Sequence, residues 1–353
     1  MEHVDVVVIG GGQSGLATTH ALLREGLLPV ALEASGRTAG SWPHYYDSLT
    51  LFSPARYSSL LGMPFPGADP DRYPHRDEVV AYLSAYAARL DADIRTRRRV
   101  TALRRSGRGF EAEVQGGERL SARAVVAASG TFGHPYRPVL PGLEGFSGRV
   151  LHAAEYRSPE PFAGQRVIVV GAGNSAVQIA AELAAVARVT LASRSPVKFA
   201  RQHVLGRDLH FWFKHTGLDT APLRRLLRTP PTQLVIDDGR YRSALAHGAP
   251  ETRELFSAIE SDKVTWPDGS LETVDTILLA TGYRPDLPYL AGLTGALDSA
   301  GHPRHRDGAS TVHPGLAFVG LEWQRGLSSN SLRGVGRDAV RAARRLAAAL
   351  SRR

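Results

Sequence analysis

The chain has 353 residues, which is long enough for two domains with a sizeable core. It has no cysteine, which excludes disulfides and a redox dithiol, and its net charge of +9 comes mainly from arginines that are scattered rather than interleaved with aromatic residues, which argues against nucleic-acid binding. No leader precedes the first strand and no apolar run is long enough to span a membrane, so we expect a soluble, cytoplasmic protein.

The first predicted elements are a strand, a tight turn and a helix near the N-terminus. The apolar run VDVVVI from Val4 to Ile9 is typical of a parallel strand buried on both faces. Gly10, Gly12 and Gly15 follow in G-x-G-x-x-G spacing, which allows a sharp turn, a close pyrophosphate and tight helix packing. This spacing predicts a dinucleotide site.

The next residues supply the other groups that such a site needs. Gln13 and Ser14 lie at the predicted helix N-terminus, where free N–H groups and the helix dipole favour an anion. A second strand, Pro29–Leu32, ends at Glu33, and an acid at this point accepts hydrogen bonds from the two hydroxyls of a ribose. We therefore predict an adenine dinucleotide whose ribose hydroxyls are free.

An irregular stretch of glycine, proline, serine and aromatic residues follows, at 34–67. Within it, Gly40–Trp42 and Leu49–Pro54 are candidates to wrap a flat ring system, and a packed surface loop is the alternative. A helix is predicted over Arg76–Leu90, and short strands after it predict a small antiparallel insertion at about 94–123.

Two similar segments indicate crossings between domains. The apolar strand VVAASG leads into the proline-rich segment Gly130–Pro141, and the strand ILLATG runs into the second segment, Ala280–Pro285. This similarity predicts that one domain is inserted into the other, with two adjacent linkers that lead out and back.

The strand, glycine turn and helix pattern of the N-terminus recurs between these linkers. A strand, Arg166–Val170, precedes Gly171, Gly173 and Ala176 in G-x-G-x-x-A spacing. Arg194 lies 23 positions after Gly171, as Glu33 lies 23 positions after Gly10. The same position therefore holds an acid in the first repeat and an arginine in the second.

This exchange of charge predicts two different nucleotides. An acid repels a 2′-phosphate, whereas a guanidinium with Ser193 beside it favours that phosphate through a charge-assisted contact. The second site should therefore bind NADPH. The alternative for Arg194 is a solvated surface side chain.

A further motif precedes the second repeat. Phe146, Gly148, His152 and Tyr156 have the spacing F-x-G-x-x-x-H-x-x-x-[Y/F], which resembles the fingerprint of flavin-containing monooxygenases, the class B flavoprotein monooxygenases. The segments SPARYSSL and EWQRGLSSNSLRG look most like small bacterial members associated with arsenic-resistance or cation-efflux genes.

The resemblance implies an α/β fold with two Rossmann-like domains, the NADP domain inserted into the FAD domain. We expect the FAD domain at 1–145 and 283–353 and the NADP domain at 146–282. In this family NADPH reduces the flavin, and a C4a-hydroperoxide delivers one oxygen atom from O2 to a soft nucleophile such as sulfur or nitrogen, or to a carbonyl. The expected partners are a small-molecule substrate and O2, and a homodimer stays open.

The resemblance also assigns cofactor contacts. The residues expected at FAD are Gly10, Gly12, Gln13, Ser14, Gly15, Glu33, Ala34, Ser41, Trp42, Val100, Gly130 and Gln324. The residues expected at NADP are Gly171, Gly173, Asn174, Ser175, Ala176, Ser193, Arg194, Ala280, Thr281 and Gly282. His152 is expected to orient the domains or a cofactor, and a hydrogen-bonded structural histidine is the alternative.

One departure from the family affects the chemistry. Family members carry an asparagine that contacts the flavin and protects the hydroperoxide, whereas this chain has Phe52 near the matching position, with Ser53 next to it, and no asparagine in this stretch. Leakage to peroxide follows from that difference, so an NADPH-dependent flavin oxidase or reductase is an alternative, and a non-enzymatic flavin- or NADPH-sensing partner is another. The catalytic residues are unknown, with Ser53, Arg56 and Gln324 as candidates.

The remaining segments are less specific. Phe211, Trp212 and Phe213 with nearby histidines are candidates for a substrate entrance or an aromatic lid, and a packing patch is the alternative. No carboxylate–histidine spacing repeats to indicate a metal. A C-terminal helix is predicted over Arg333–Leu350, and the turn at its start, near Ser331, is expected to face the flavin.

Overall fold

The structure is a computed structural model that describes residues 2–225, 227 and 234–352. The chain begins with the predicted strand, helix and strand, which are β1 (Glu2–Ile9), α1 (Gln13–Arg24) and β2 (Pro29–Leu32). The next elements are α2 (Arg76–Ala88), β3 (Asp93–Arg95), β4 (Val100–Ser106), β5 (Gly109–Val114) and β6 (Arg119–Ala127). Helix α2 thus ends two residues before the predicted limit.

The middle of the chain contains the second repeat of the pattern. Its first elements are β7 (Arg149–His152), β8 (Arg166–Val170), α3 (Asn174–Leu183) and β9 (Arg188–Ser193). They are followed by β10 (Phe199–Arg201), β11 (His203–Val204), β12 (Arg207–Asp208), α4 (Leu209–His215), β13 (Val235–Asp237) and α5 (Arg240–Ala246). The repeat closes with β14 (Glu251–Glu254), β15 (Ala258–Glu260), β16 (Lys263–Thr265), β17 (Leu271–Thr273) and β18 (Thr276–Leu279).

The last part of the chain returns to the first sheet. It contains β19 (His305–Arg306), β20 (Ala309–Ser310), β21 (Leu316–Phe318) and α6 (Leu332–Leu350). Strand β21 lies parallel to β6, and α6 packs along α1. In the described part of the chain, the helices fall short of the length and hydropathy that a bilayer crossing needs.

The first sheet has a parallel core in the order β21-β6-β1-β2-β3, and β4 and β5 continue from β6 as an antiparallel extension. Its central strand, β1, is apolar and buried over residues 6–9, because both faces of the sheet are covered there. Val6 and Val8 pack towards α1 and α6, whereas Val7 and Ile9 pack towards β4, β5 and the segment 287–296. This arrangement accounts for the unbroken apolar run.

The second sheet is entirely parallel, in the order β14-β9-β8-β18-β7. Val167 and Val169 of β8 face α3, and Ile168 and Val170 face a layer that includes the three-stranded sheet β15-β16-β17 and the buried Trp266. The mixed α/β fold class is therefore confirmed.

The segments that join the two sheets lie side by side. The Tyr136 N–H donates to the Gly282 carbonyl at 2.9 Å, and the Arg284 N–H donates to the His134 carbonyl, also at 2.9 Å. The outgoing and returning linkers thus form a short antiparallel pair around Pro135 and Tyr283. Both glycine turns consequently face the gap that these linkers bridge.

Candidate functional site

A cleft of about 1190 Å³ runs between the two sheets. The first glycine turn lines it through Gly10 and Gly12, and the second lines it through Gly171 and Gly173. Parts of both linkers and the start of α6 complete its wall. The structure therefore brings the two repeats together at one cavity, with the carboxyl ends of both parallel sheets facing it.

The first turn fits a pyrophosphate because its backbone is exposed by glycine. Gly10 has φ of +111°, and a Cβ added at Gly15 would lie 1.8 Å from the Gly10 carbonyl oxygen. Helix α1 begins directly after Gly12, which provides no side-chain cap. Its first N–H groups are thus left for an anionic ligand.

Glu33 is buried at the end of β2 and lies against the first turn. Its Oε2 accepts a hydrogen bond from the Gly11 N–H at 2.6 Å, and its Oε1 accepts one from the Ser35 N–H at 2.7 Å. These bonds fix the carboxylate at the cleft wall, where each oxygen retains capacity to accept a ribose hydroxyl.

Gln13 connects the first turn to two other parts of the wall. Its Nε2 donates to the Asn330 carbonyl at 2.7 Å, and its Oε1 accepts from the Trp42 indole at 3.1 Å. The start of α6 and the loop after β2 are thus held at the first turn. Other predicted FAD contacts that line the cleft are Ser14, Ala34, Ser41, Trp42, Val100 and Gly130.

The second turn repeats this geometry with one change. Gly171 has φ of +148°, and the Ala176 methyl group is accommodated at the third position of the motif. The Asn174 side chain accepts from the Ile236 N–H and donates to the Leu234 carbonyl, which ties the turn to β13. The other predicted NADP contacts in the lining are Ser175, Ser193, Ala280, Thr281 and Gly282.

Arg194 lies at the carboxyl end of β9, where it lines the cleft with an exposed side chain. Its guanidinium makes no hydrogen bond or ion pair to any residue that the structure describes. The neighbouring Ser193 hydroxyl donates to the Ser195 carbonyl at 2.8 Å. An unpaired guanidinium at the end of the second strand is available to an anionic ligand.

Most of the monooxygenase fingerprint serves packing. Phe146 is buried under the second sheet, and a Cβ added at Gly148 would lie 2.6 Å from the Phe146 ring. The Tyr156 hydroxyl donates to Glu182 at 2.9 Å. Within the fingerprint, His152 alone reaches the cleft.

His152 is fully buried, and both of its ring nitrogens have partners. Nδ1 accepts from the Ala154 N–H at 3.1 Å, so the neutral ring carries its proton on Nε2, which donates to the Gly282 carbonyl at 3.1 Å. Burial lowers the pKa of His152. This histidine therefore holds the end of β7 to the returning linker.

The candidate catalytic residues are distributed unevenly. Ser53 lines the cleft, and its hydroxyl lies 2.9 Å from that of Ser58. Arg56 is outside the lining and pairs with Asp71 at 2.8 Å on the surface. Gln324 is buried, its amide bonds to the Phe318 carbonyl and the Leu321 N–H, and it is not among the residues that line the cleft.

The predicted aromatic entrance is also displaced. Phe211, Trp212 and Phe213 lie on α4 outside the cleft wall. Their neighbour His210 is buried, with Nδ1 at 2.8 Å from Asp208, and its ring stacks on Phe52, which does line the cleft. Among the described residues, no cluster of three or more side chains has the composition to bind a metal ion.

Sequence reasoning missed an aromatic wall at the linkers. Phe132 stacks on Tyr283 with ring centroids 5.3 Å apart, and Tyr45 meets the edge of Phe132 at 4.8 Å. All three residues line the cleft. The aromatic residues that flank each linker were the available signal, but their contacts join segments far apart in the chain.

Comparison with known proteins identifies the family. Residues 7–216 match the family described as pyridine nucleotide-disulphide oxidoreductase. The chain belongs to this family. Among curated relatives of this pyridine nucleotide-disulphide oxidoreductase, a CzcO-like uncharacterized oxidoreductase from Geobacillus kaustophilus is 34% identical over 96% of this chain and 97% of its own length.

Two further relatives indicate the branch of the family. The indole-3-pyruvate monooxygenase YUCCA1 from Oryza sativa is 33% identical over 92% of this chain and 88% of its own length. The solved structure of a flavin-containing monooxygenase from Stenotrophomonas maltophilia is 34% identical, covers 99% of both chains and has a TM-score of 0.87. The chain is thus an NAD(P)H-dependent flavin oxidoreductase of the flavin monooxygenase group, whose cofactors are FAD and NADPH.

Proposed function

We propose that this enzyme is an NADPH-dependent FAD monooxygenase that transfers one oxygen atom from O2 to a small soft nucleophile, at sulfur or nitrogen, or to a carbonyl. One observation carries the proposal. Two glycine turns open onto a single cleft, with the Glu33 carboxylate at one and the Arg194 guanidinium at the other. That arrangement suits two nucleotides of different charge that meet between the sheets.

We further propose that the first sheet belongs to an FAD domain, at 1–145 and 283–353, and the second to an NADP domain, at 146–282. The antiparallel pairing of the linkers supports these limits, because it marks where the chain crosses between the sheets. Glu33 would bind the ribose of FAD, and Arg194 would bind the 2′-phosphate of NADPH.

The chemistry that FAD supplies when bound is acceptance of a hydride from NADPH and activation of O2. The side chains of the chain then have to orient and enclose the reactants. Tyr45, Phe132 and Tyr283 line the cleft as an aromatic wall, which would exclude water where the two bound nucleotides meet. His152 holds the linkers in register, and its neutral ring and paired nitrogens fit an orienting role rather than acid or base catalysis.

The test uses the purified protein with bound FAD and a panel of thioethers, amines and ketones. We expect a substrate to accelerate NADPH oxidation and one atom of ¹⁸O₂ to appear in the product by mass spectrometry. Peroxide release, measured with catalase, is subtracted from the NADPH consumed. A protein that oxidises NADPH but labels no compound of the panel would remove the monooxygenase assignment in favour of the oxidase.

Phe52 favours that second candidate, a flavin oxidase. Its ring lines the cleft near the position at which the family resemblance implies an asparagine, so a hydrocarbon surface lies where a hydrogen-bonding group is expected. The oxidase releases close to one peroxide for each NADPH at every substrate concentration. A non-enzymatic sensor is distinguished from both, because its bound FAD would not be reduced by any nicotinamide.

A further inference from the structure

A segment of the second sheet's unit reaches across to the first. Residues 202–225 leave after β10 and contact the far side of the cleft at the segment 324–333. The Ser328 hydroxyl donates to the Asp219 carbonyl at 2.7 Å, and the Arg224 N–H donates to the Arg325 carbonyl at 3.2 Å. We call residues 202–225 the strap.

The strap brings a carboxylate to the start of α6. Asp219 accepts from Nε of Arg333 at 2.9 Å and 3.2 Å through its two oxygens. Both side chains are nearly buried, with 10% and 12% of their surfaces exposed. Water therefore screens this pair weakly, and the carboxylate fixes the orientation of the guanidinium.

Arg333 also belongs to the cleft wall, together with Asn330, Ser331 and Leu332. Its Nη groups make no hydrogen bond to any residue in the described part of the chain. Gln13 holds Asn330 beside the first glycine turn. The Arg333 guanidinium therefore lies in the part of the cleft wall that is next to the first glycine turn. A ligand bound at that turn and extended along the cleft would pass this wall.

We propose that Arg333 sets the reduction potential of FAD bound at the first turn, and that Asp219 on the strap moderates this effect. The inference rests on FAD occupying the first turn, as in the proposed function. Uptake of two electrons and one proton by the flavin leaves one negative charge on its ring system. A fixed guanidinium stabilises that charge, and the dipole of the 19-residue α6 adds to it.

Removing the charge of Arg333 and removing the charge of Asp219 should shift the reduction potential of FAD in opposite directions. Loss of the Arg333 charge destabilises the reduced flavin and makes the potential more negative. Loss of the Asp219 charge exposes the guanidinium more strongly and makes the potential less negative. A merely structural role for the pair would shift the potential in the same direction in both variants, because either change would loosen the same contact.

The experiment measures the reduction potential of bound FAD by dye equilibration, without NADPH or substrate. Arg333→Gln is expected to lower the ratio of reduced to oxidised flavin about tenfold or more at a fixed dye potential, the effect of losing a hydrogen bond to a charged group. Asp219→Asn is expected to raise that ratio, and Arg333→Lys to lie between wild type and Arg333→Gln.

The matched control is Arg224→Gln. Arg224 is on the same strap and contacts His305 and the Gln324 carbonyl, but it lies outside the cleft wall. Its variant should retain the wild-type potential. If Arg333→Gln releases FAD, Asp219→Asn decides alone, since a rise in the ratio supports the proposal and any other result overturns it.

An unchanged potential in Arg333→Gln, or shifts of the same sign in the two variants, would also overturn the inference. Neither result bears on the monooxygenase assignment, which is tested by transfer of labelled oxygen. Conversely, a protein that binds FAD but oxygenates nothing can still show the two opposite shifts.

Discussion

Nε2 of His152 lies 3.1 Å from the carbonyl oxygen of Gly282, so the strand that begins the second repeat is tied to the segment that leaves it. His152 ends β7, and Gly282 belongs to the linker that returns to the first sheet. The bond therefore joins the second sheet to the linker that returns to the first sheet.

Replacing His152 with alanine should lower the free energy of unfolding by about 2–4 kcal/mol, because a buried ring and its hydrogen bonds are lost. Reduction of FAD by NADPH should also slow, since the linkers lose their register. Chemical unfolding and stopped-flow absorbance measure the two effects. The control is His134→Ala, an exposed linker residue, which should cost less than about 0.5 kcal/mol.

Replacing Arg194 with alanine should raise the KM for NADPH about 10- to 100-fold and leave that for NADH nearly unchanged. The reason is the loss of a charge-assisted contact that only the 2′-phosphate can make. Steady-state kinetics with both nucleotides provide the test. Arg188→Ala is the matched control, because Arg188 begins the same strand at the opposite end and is 78% exposed. Equal increases for the two nucleotides would contradict the assignment.

Replacing Gly15 with alanine should prevent retention of FAD. The added Cβ would lie 1.8 Å from the Gly10 carbonyl oxygen, so the turn has to open and its N–H groups move away from the pyrophosphate. The ratio of flavin absorbance to protein absorbance after gel filtration measures retention. Gly145→Ala is the control, since nothing lies within 4 Å of its added Cβ. Full flavin content in Gly15→Ala would show that the first turn does not bind the pyrophosphate.

Stability should fall as the pH drops below about 6.5, partly because of His305. Burial and the Arg224 guanidinium lower the pKa of His305 from 6.5 to about 4, and its Nδ1 accepts from the Gly308 N–H. The unfolded chain therefore binds this proton more readily than the folded one, and the stability present above pH 6.5 is lost towards pH 4.

The variant His305→Asn isolates this contribution. Wild type should lose up to about 3 kcal/mol more than the variant between pH 6.5 and pH 4, from the two and a half pKa units involved. Urea unfolding at half-unit pH intervals gives the difference curve. Parallel curves for the two proteins would mean that His305 is free to protonate in the folded state.

The parts of this enzyme that could be predicted from the sequence are those whose structure depends on residues adjacent in the chain. Strand β8 and the two glycine turns follow from residues adjacent in the chain, and Pro29–Leu32 forms a strand within the predicted limits. The fingerprint predicted the family, although most of its residues proved to pack the second sheet rather than line the cleft.

The remainder depends on contacts that no local pattern encodes. Asp219 and Arg333 meet only because the strap crosses between the sheets. Arg333 lies in the segment EWQRGLSSNSLRG, but that segment does not indicate a carboxylate partner on the strap. Gln324 follows an irregular segment in which sequence gives no indication that its amide turns inward to Phe318. The aromatic residues on α4 were assigned to an entrance because they are adjacent in the sequence. The aromatic rings that line the cleft come instead from separate loops far apart in the chain.

Strand β21 joins β6 only after the whole second sheet has been synthesised. During translation, the second sheet can therefore assemble while the first still lacks strands β19, β20 and β21 and the helix α6 that packs along α1. A nascent chain arrested before β21 should protect β8 and β18 from proteolysis and leave β1 open to it. The first sheet, whose synthesis begins first, would thus be the last of the two sheets to be completed.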